Sequence, residues 1–320
     1  MPKISIIIPV YKVEKYIERC ARSLFEQTLD DIEYLFIDDC SPDKSIEVLK
    51  DILDEYPHRK SQTIIHRMER NKGQAAVRYW GVKNATGDYL IHCDSDDWVE
   101  LDMYRSLYEE AILTNADIVI CDYYESDGIV NRLKHYDYSE DKECLINDLL
   151  FLRGSWALWN KLIRRNLYNN IKFPLFNMGE DMSIVFQLIQ KSSKIVAINK
   201  PLYYYYYNPE SISNQKSIKN SIQRFIQACE NTKIVEESIG NNPIFKVGLL
   251  NLKEINRNLL LGGLDSKEAC ELWISRYPNL TRKLLLSKGI DFKQKIRAVH
   301  YEVQIKLRNV YSIFKNFFCS

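Results

Sequence analysis

Three carboxylates fall within four residues at Asp94-Ser95-Asp96-Asp97, directly after the apolar run Tyr89–Cys93. Acids this close repel one another unless a cation or solvent relieves them. Hard oxygen ligands suit Mg2+ or Mn2+, which bridge a few carboxylates to substrate phosphates. Read alone, the cluster is equally a solvated turn that caps the next helix. A second pair, Asp38-Asp39, follows the run Tyr34–Ile37. A carboxylate there can accept a hydrogen bond from a nucleotide base. Alone, the pair reads better as a turn leading through Cys40-Ser41-Pro42-Asp43 into a helix. Asn71, Gly73 and Arg78 lie between strands. The planar fork of an arginine suits a phosphate, and the plainer reading of Arg78 is a solvated helix surface. Glu180-Asp181 stands before Ile184, Val185, Leu188 and Ile189, which have helical spacing. Acids in a first turn complement the helix dipole. The chemical reading is a general base on the acceptor side of a crevice.

The elements that must position these residues alternate. Ile4–Ile8, Tyr34–Ile37, Thr63–His66, Tyr89–Cys93 and Asp117–Tyr123 read as strands. Glu14–Gln27, Ser45–Tyr56, Lys72–Ala85 and Leu101–Thr114 read as helices between them. This alternation predicts an α/β fold, a mostly parallel sheet flanked by helices. Ligands of such sheets bind beyond the carboxyl ends of the strands, so both acidic clusters should line one crevice. The stretch from 128 to 200 is less regular. Tyr203–Tyr207 reads as a strand with alternate rings in the core and on the surface, in preference to a sugar-stacking platform. From Ser217 onward the pattern is helical.

Composition bounds the function. The 320 residues are 46% hydrophobic and 27% charged, which suits a folded chain with a substantial core. A net charge of +1 gives no reason to expect nucleic-acid binding. The eight cysteines form no C-x-x-C pair and do not cluster with the five histidines, so no zinc site is expected. The short run Ile4–Val10 is not a secretory signal and no run spans a membrane, so the expectation is a cytosolic protein with reduced thiols. Sugar nucleotidyltransferases and dinucleotide dehydrogenases want glycines after the first strand, and Pro9–Val13 holds none.

The order of these motifs resembles the inverting family-2 glycosyltransferases. Ser5-Ile6-Ile7-Ile8-Pro9-Val10-Tyr11 is similar to the family's opening strand. Asp38-Asp39-Cys40-Ser41 resembles its Asp-Asp-Gly-Ser turn, with Cys40 in place of glycine. Asn71-Lys72-Gly73 and Ala76-Val77-Arg78-Tyr79-Trp80-Gly81 resemble its Asn-x-Gly…Ala-x-Arg-Asn-x-Gly stretch, with Tyr79 in place of asparagine. Asp94–Asp97, Trp159-Asn160-Lys161, Glu180-Asp181 and Ser211-Ile212-Ser213 complete the series. The resemblance covers residues 1–215 and implies a GT-A catalytic domain there, followed by a helical C-terminal region over 216–320. It implies a nucleotide-sugar donor, with a UDP-sugar expected, held by Pro9, Val10, Tyr11, Asp39, Asn71, Gly73, Arg78, Asp94 and Ser95. Tyr11 would stack on the base. It further implies Mn2+ or Mg2+ on Asp96, sugar contacts from Asp97, Trp159 and Lys161, and Asp181 as base with Glu180 beside it. The acceptor class implied is a glycan or lipid-linked glycan in capsule, exopolysaccharide or lipopolysaccharide assembly. The competing expectation is an inactive, glycosyltransferase-like scaffold subunit, which would tolerate loss of the acidic motifs that this chain retains.

The C-terminus carries a separate signal. Phe292, Ile296, Val299, Val303, Leu307, Val310, Phe314 and Phe317 recur at steps of three and four. Residues 291–320 hold six lysines and arginines against Asp291 and Glu302. A basic amphipathic helix with phenylalanines suits an anionic membrane surface at the inner face of the cell membrane. A helix packed on protein is the alternative.

Overall fold

The computed structural model describes residues 2–208 and 217–318, with side chains through residue 308. Ser211-Ile212-Ser213 and the side chains of Val310, Phe314, Lys315 and Phe317 lie outside the described residues. The chain divides into two units, residues 1–145 with 154–210, and residues 146–153 with 211–320. Residues 146–153 cluster with the second of these units.

The first unit runs β1 (Ile4–Val10), α1 (Ile17–Phe25), β2 (Ile32–Asp38), α2 (Ser45–Glu55), β3 (Thr63–Arg67), α3 (Gln74–Asn84), β4 (Tyr89–His92), β5 (Trp98–Val99), α4 (Met103–Thr114), β6 (Ile118–Ser126), β7 (Asn131–Lys134), α5 (Lys142–Leu150), β8 (Lys161–Arg164), α6 (Glu180–Lys191) and β9 (Ile195–Tyr206). α5 passes from one unit into the other. One sheet has the order β3-β2-β1-β4-β8-β6-β9-β5, with β7 beside β6.

From β3 to β4 the sheet is parallel, with Val10 opposite Asp38 and Ile7 opposite His92. Continuous β-branched runs can be buried on both faces, as a parallel sheet requires. Ile4, Ile6, Ile8 and Val10 pack in one core with Leu24 and Phe25 of α1, Leu49 of α2 and Leu107 of α4. Ile7 and Ile37 face α3 on the other side, where a Cβ on Gly81 would stand 2.5 Å from Ile7 Cγ2. Only glycine lets α3 lie this close to the sheet. The shared strand direction sets the ends of β1, β2 and β4 along one edge.

Beyond β4 the sheet is mixed. β8 is antiparallel to β4 and β6, and β5 is antiparallel to β9. β6 and β9 run parallel, but their register breaks between Cys121 and Tyr123, a bulge that re-aims the second half of both strands. Past it, Tyr203 and Tyr205 turn to Trp159 while Tyr204 and Tyr206 turn to Trp98. The tyrosines thus alternate in partner more than in burial: Tyr203 is buried, whereas Tyr205 on the same face is exposed. The reason is that each face of β9 carries an indole to cover.

The second unit is helical: α7 (Ile218–Ile239), α8 (Lys246–Asn258), α9 (Lys267–Ser275), α10 (Leu280–Leu286) and α11 (Phe292–Phe318). Phe225, Leu260, Trp273 and Ile305 form one core cluster, and Leu280, Leu284 and Ala298 another. A buried Glu254–Arg257 pair lies under it, the guanidinium 3.7 Å from the Trp273 ring centre.

Candidate active site

The turns after β1 and β2 are pinned to each other. The backbone N–H of Lys12 donates to Ser41 Oγ at 2.8 Å, and that of Val13 to Ser45 Oγ at 3.0 Å. Cys40 takes φ +58°, the left-handed region where glycine is at ease. Asp38 is buried, accepting from the Ser41 N–H and from Arg67 Nη1, both at 2.7 Å. Asp39 turns the other way. Its two oxygens accept the backbone N–H groups of Lys72 and Gly73, at 2.7 and 2.8 Å, and Asn71 Nδ2 donates to its carbonyl. Burial lifts Asp39 above the usual carboxylate range, and those two N–H groups pull it back. Asp39 therefore holds the Asn71–Gly73 loop. Tyr11 is exposed at the edge, Pro9 is half-buried, and the Val10 side chain lies in the core.

Gly73 opens α3 at φ +84°, and a Cβ there would fall 2.3 Å from Asn177 Nδ2. The carbonyl oxygen of that amide accepts the Ala75 N–H at 3.0 Å. Asn177 was not among the sequence candidates. Its only local signal is the turn it begins, which ends at Gly179 with φ +78°.

The turn after β4 relieves its crowded acids with protein donors. Asp97, fully buried, accepts Tyr203 Oη–H at 2.6 Å and the Tyr206 N–H at 2.7 Å. The same Tyr203 oxygen accepts the Asp94 N–H at 3.0 Å, closing the turn. Burial, with Asp96 and Asp94 nearby, pushes Asp97 well above the carboxylate range. Asp94 is half-buried and its Oδ1 accepts from Arg78 and Gln74, at 3.0 and 3.2 Å. Asp96 accepts from the Asn208 amide at 2.9 Å, and its carbonyl accepts from Arg19, whose guanidinium lies 3.6 Å from the Trp98 ring centre. Burial raises the Asp96 pKa, and the Asn208 amide opposes it. Ser95 is buried.

Across from the β4 turn, α6 begins with Glu180 buried against Arg78 Nη1 at 2.7 Å. Asp181 is half-buried, and its Oδ1 accepts the Met182 N–H at 2.7 Å. Burial raises the Asp181 pKa, while Arg78 and Lys161 oppose the rise. Arg78 is an internal cation between two carboxylates, not the solvated helix-surface residue that its sequence also allowed. Lys161 is buried too. Its Nζ donates to Ser155 O, Ala157 O and Asn160 Oδ1 at 2.7–2.9 Å. Burial pulls its pKa down to about 7, against the three oxygens that only an ammonium satisfies together. Trp159 is sandwiched with Tyr203 at 4.3 Å. The described contacts of Lys161, Trp159 and Asp97 are thus with other parts of the protein.

Among the described residues no group of three or more His, Cys, Asp or Glu side chains forms a cage for a metal ion. The donor set, Asp96 with Asp94 near it, still fits a hard cation that takes its remaining oxygens from phosphates and water.

Comparison with known proteins identifies the family and the fold. The family model described as glycosyl transferase family 2 matches residues 5–185. Glycosyltransferase GlyA of Streptococcus pneumoniae is 33% identical over 223 residues, 66% of this chain and 31% of that protein. This chain thus spans about a third of that relative's length. TarS 1-349 of S. aureus in complex with UDP-GlcNAc superposes with a TM-score of 0.62 at 18% identity, covering 95% of this chain and 81% of that one. The mannosyltransferase PcManGT of Pyrobaculum calidifontis, in complex with GDP-Man and Mn2+, gives 0.58 at 14% identity, covering 97% and 88%. The fold is of the GT-A kind, a curled mixed sheet flanked by helices with further helices at the C-terminus.

Proposed function

We propose that this chain, which belongs to glycosyl transferase family 2, transfers a sugar from a UDP-sugar to an acceptor hydroxyl with inversion. Residues 1–215 are the catalytic domain in this reading, and 216–320 a helical region that serves it. One observation supports it above the others: Asp94, at the end of β4, and Glu180, next to Asp181, are joined through one arginine. Donor-side and acceptor-side carboxylates therefore border one space. Tyr11 offers a ring to the base, and Asp94 faces the ribose. Asp181 takes the proton from the acceptor hydroxyl as its oxygen bonds to the anomeric carbon, and the bond from that carbon to the diphosphate breaks with its electron pair leaving on UDP. Mn2+ or Mg2+ on Asp96 supplies positive charge for the diphosphate when bound.

A screen of UDP-sugars with Mn2+, reading released UDP and product, tests this. Asp181→Asn is expected to lose at least about 10²-fold in kcat with donor affinity nearly unchanged. A product of retained configuration, seen by NMR, ends the single-displacement mechanism. The base must be ionised, and the Asp181 pKa lies above its ordinary 3.8, so kcat should rise with pH along a limb placed above that value.

The second unit supports a lipid-linked acceptor at the inner membrane face, in surface-polysaccharide assembly. α11 packs inward through Ala298 and Ile305, both fully buried. Its stripe of Phe292, Ile296, Val303 and Leu307 is left exposed. Lys293 and Arg297 lie beside the stripe in the same exposed turns. Apolar residues rimmed by cations complement an anionic bilayer. Among the described residues no helix is long and apolar enough to cross a membrane. The protein should pellet with anionic vesicles at low salt, and with Phe292, Ile296, Val303 and Leu307 all changed to glutamine it should stay in the supernatant. Equal pelleting of the two removes the membrane role.

A further inference from the structure

We infer that Arg78 is a positioning residue that fixes the spacing between the donor turn and the acceptor-side carboxylates, rather than a ligand of the donor's phosphates. This rests on the transfer reaction proposed above. Arg78 is 3% exposed. Nη1 lies 2.7 Å from Glu180 Oε1 and Nη2 lies 3.0 Å from Asp94 Oδ1, so both ends of the fork are committed within the protein. The remaining Nε is buried with no partner. α3, which carries Arg78, is itself held firmly. Gly81 seats it on Ile7 and Ile37, and its first turn is bonded through the Ala75 N–H to Asn177, three residues before Glu180. α3 therefore touches the entry to α6 at two points, Ala75 to Asn177 and Arg78 to Glu180. A buried guanidinium is tolerated only while its carboxylates stay in place, because loss of one partner leaves an uncompensated charge. Moving Asp94 by an ångström must then move either Glu180 or the whole of α3. Asp181 follows Glu180 directly in the same helical turn, so the base inherits that spacing.

A double-mutant cycle of Arg78→Gln and Glu180→Gln on the full chain, with kcat, donor KM and UDP affinity measured, tests the inference. Arg78→Gln is expected to lower kcat by about 10²-fold, the cost of a misplacement near 1 Å. Donor KM and the Kd for UDP should change by less than about threefold, and Glu180→Gln added to Arg78→Gln should cost little more, because the pair acts as one unit. Arg78→Lys, which keeps the charge but not the fork, should recover part of kcat. Losses that multiply in the double mutant overturn the inference. So does a rise of about tenfold or more in the Kd for UDP with kcat held, the mark of a phosphate ligand. Should Arg78→Gln fail to fold, the same cycle is run between Arg78→Lys and Glu180→Gln, with the same criteria. A wild-type chain inert toward every donor fails the proposed function and this inference together. An active wild type with multiplicative losses fails the inference alone.

Discussion

The turn after β2 and the turn after β4 set buried acids on the same edge of the sheet, and they settle those charges in opposite ways. Asp39 gives both oxygens to backbone N–H groups of a loop some thirty residues on. Asp97 also gives up both oxygens, but Asp94 and Asp96 in the same turn keep partial exposure and are steadied by side chains, Arg78, Gln74 and Asn208. Main-chain donors fix a carboxylate once and for all, because they cannot swing away. Side-chain donors let it change partners when a ligand arrives. By this contrast Asp39 and Asp97 are held as framework, whereas Asp94 and Asp96 keep the freedom that binding a ligand would need.

Asp96→Ala breaks the comparison most severely if it is wrong. It should abolish turnover, a loss of about 10³-fold or more, with Mn2+ and Mg2+ unable to restore it and the melting curve nearly intact. Full activity of that variant in chelator would sink the metal role. Asp97→Asn sharpens the other half. An amide cannot accept from both the Tyr203 hydroxyl and the Tyr206 N–H, so stability should fall by about 1–3 kcal/mol while residual turnover exceeds that of Asp96→Ala. If Asp97→Asn melts like wild type and is equally inactive, Asp97 touches substrate and the division within the turn is wrong. Cys40→Gly has the smallest expected effect. Relief of a left-handed cysteine should raise stability by about 0.5–1 kcal/mol, less whatever the thiol's 2.8 Å hydrogen bond to the Met68 carbonyl contributes. A clear drop in Tm would mean that the thiol contact outweighs the backbone cost.

These two turns were the most legible part of the sequence, because each follows a continuous apolar run and strand direction alone puts them together. The same reasoning could not reach their partners. Tyr203 and Asn208 lie more than 100 residues from the acids they serve, and tyrosine in a run of five tyrosines carries no mark of which hydroxyl is used. β8 was hidden because it opens with Lys161, which reads as a surface charge until Ser155, Ala157 and Asn160 are folded around it. β5 is two residues long and exists only as the pairing of Trp98 and Val99 with β9. Arg78 could be placed near the crevice but not assigned a partner, since its two carboxylates lie 16 and 102 residues away in sequence. The exposed stripe on α11 was visible as a period. That Ala298 and Ile305 and not the stripe would meet the core needed the packing itself.

The bond from Tyr203 to Asp97 sets the order in which this protein can be completed. Both partners of Asp97 arrive from β9, 106 and 109 residues downstream. The pairings of β1 to β4 are closer in sequence and so close earlier in a nascent chain. Its β4 turn lacks both partners of Asp97, however, until Tyr206 has left the ribosome and β9 has docked. On that order the parallel half of the sheet precedes the β4 turn, so a chain halted before Tyr203 would have that half of the sheet without the bonds that close the turn.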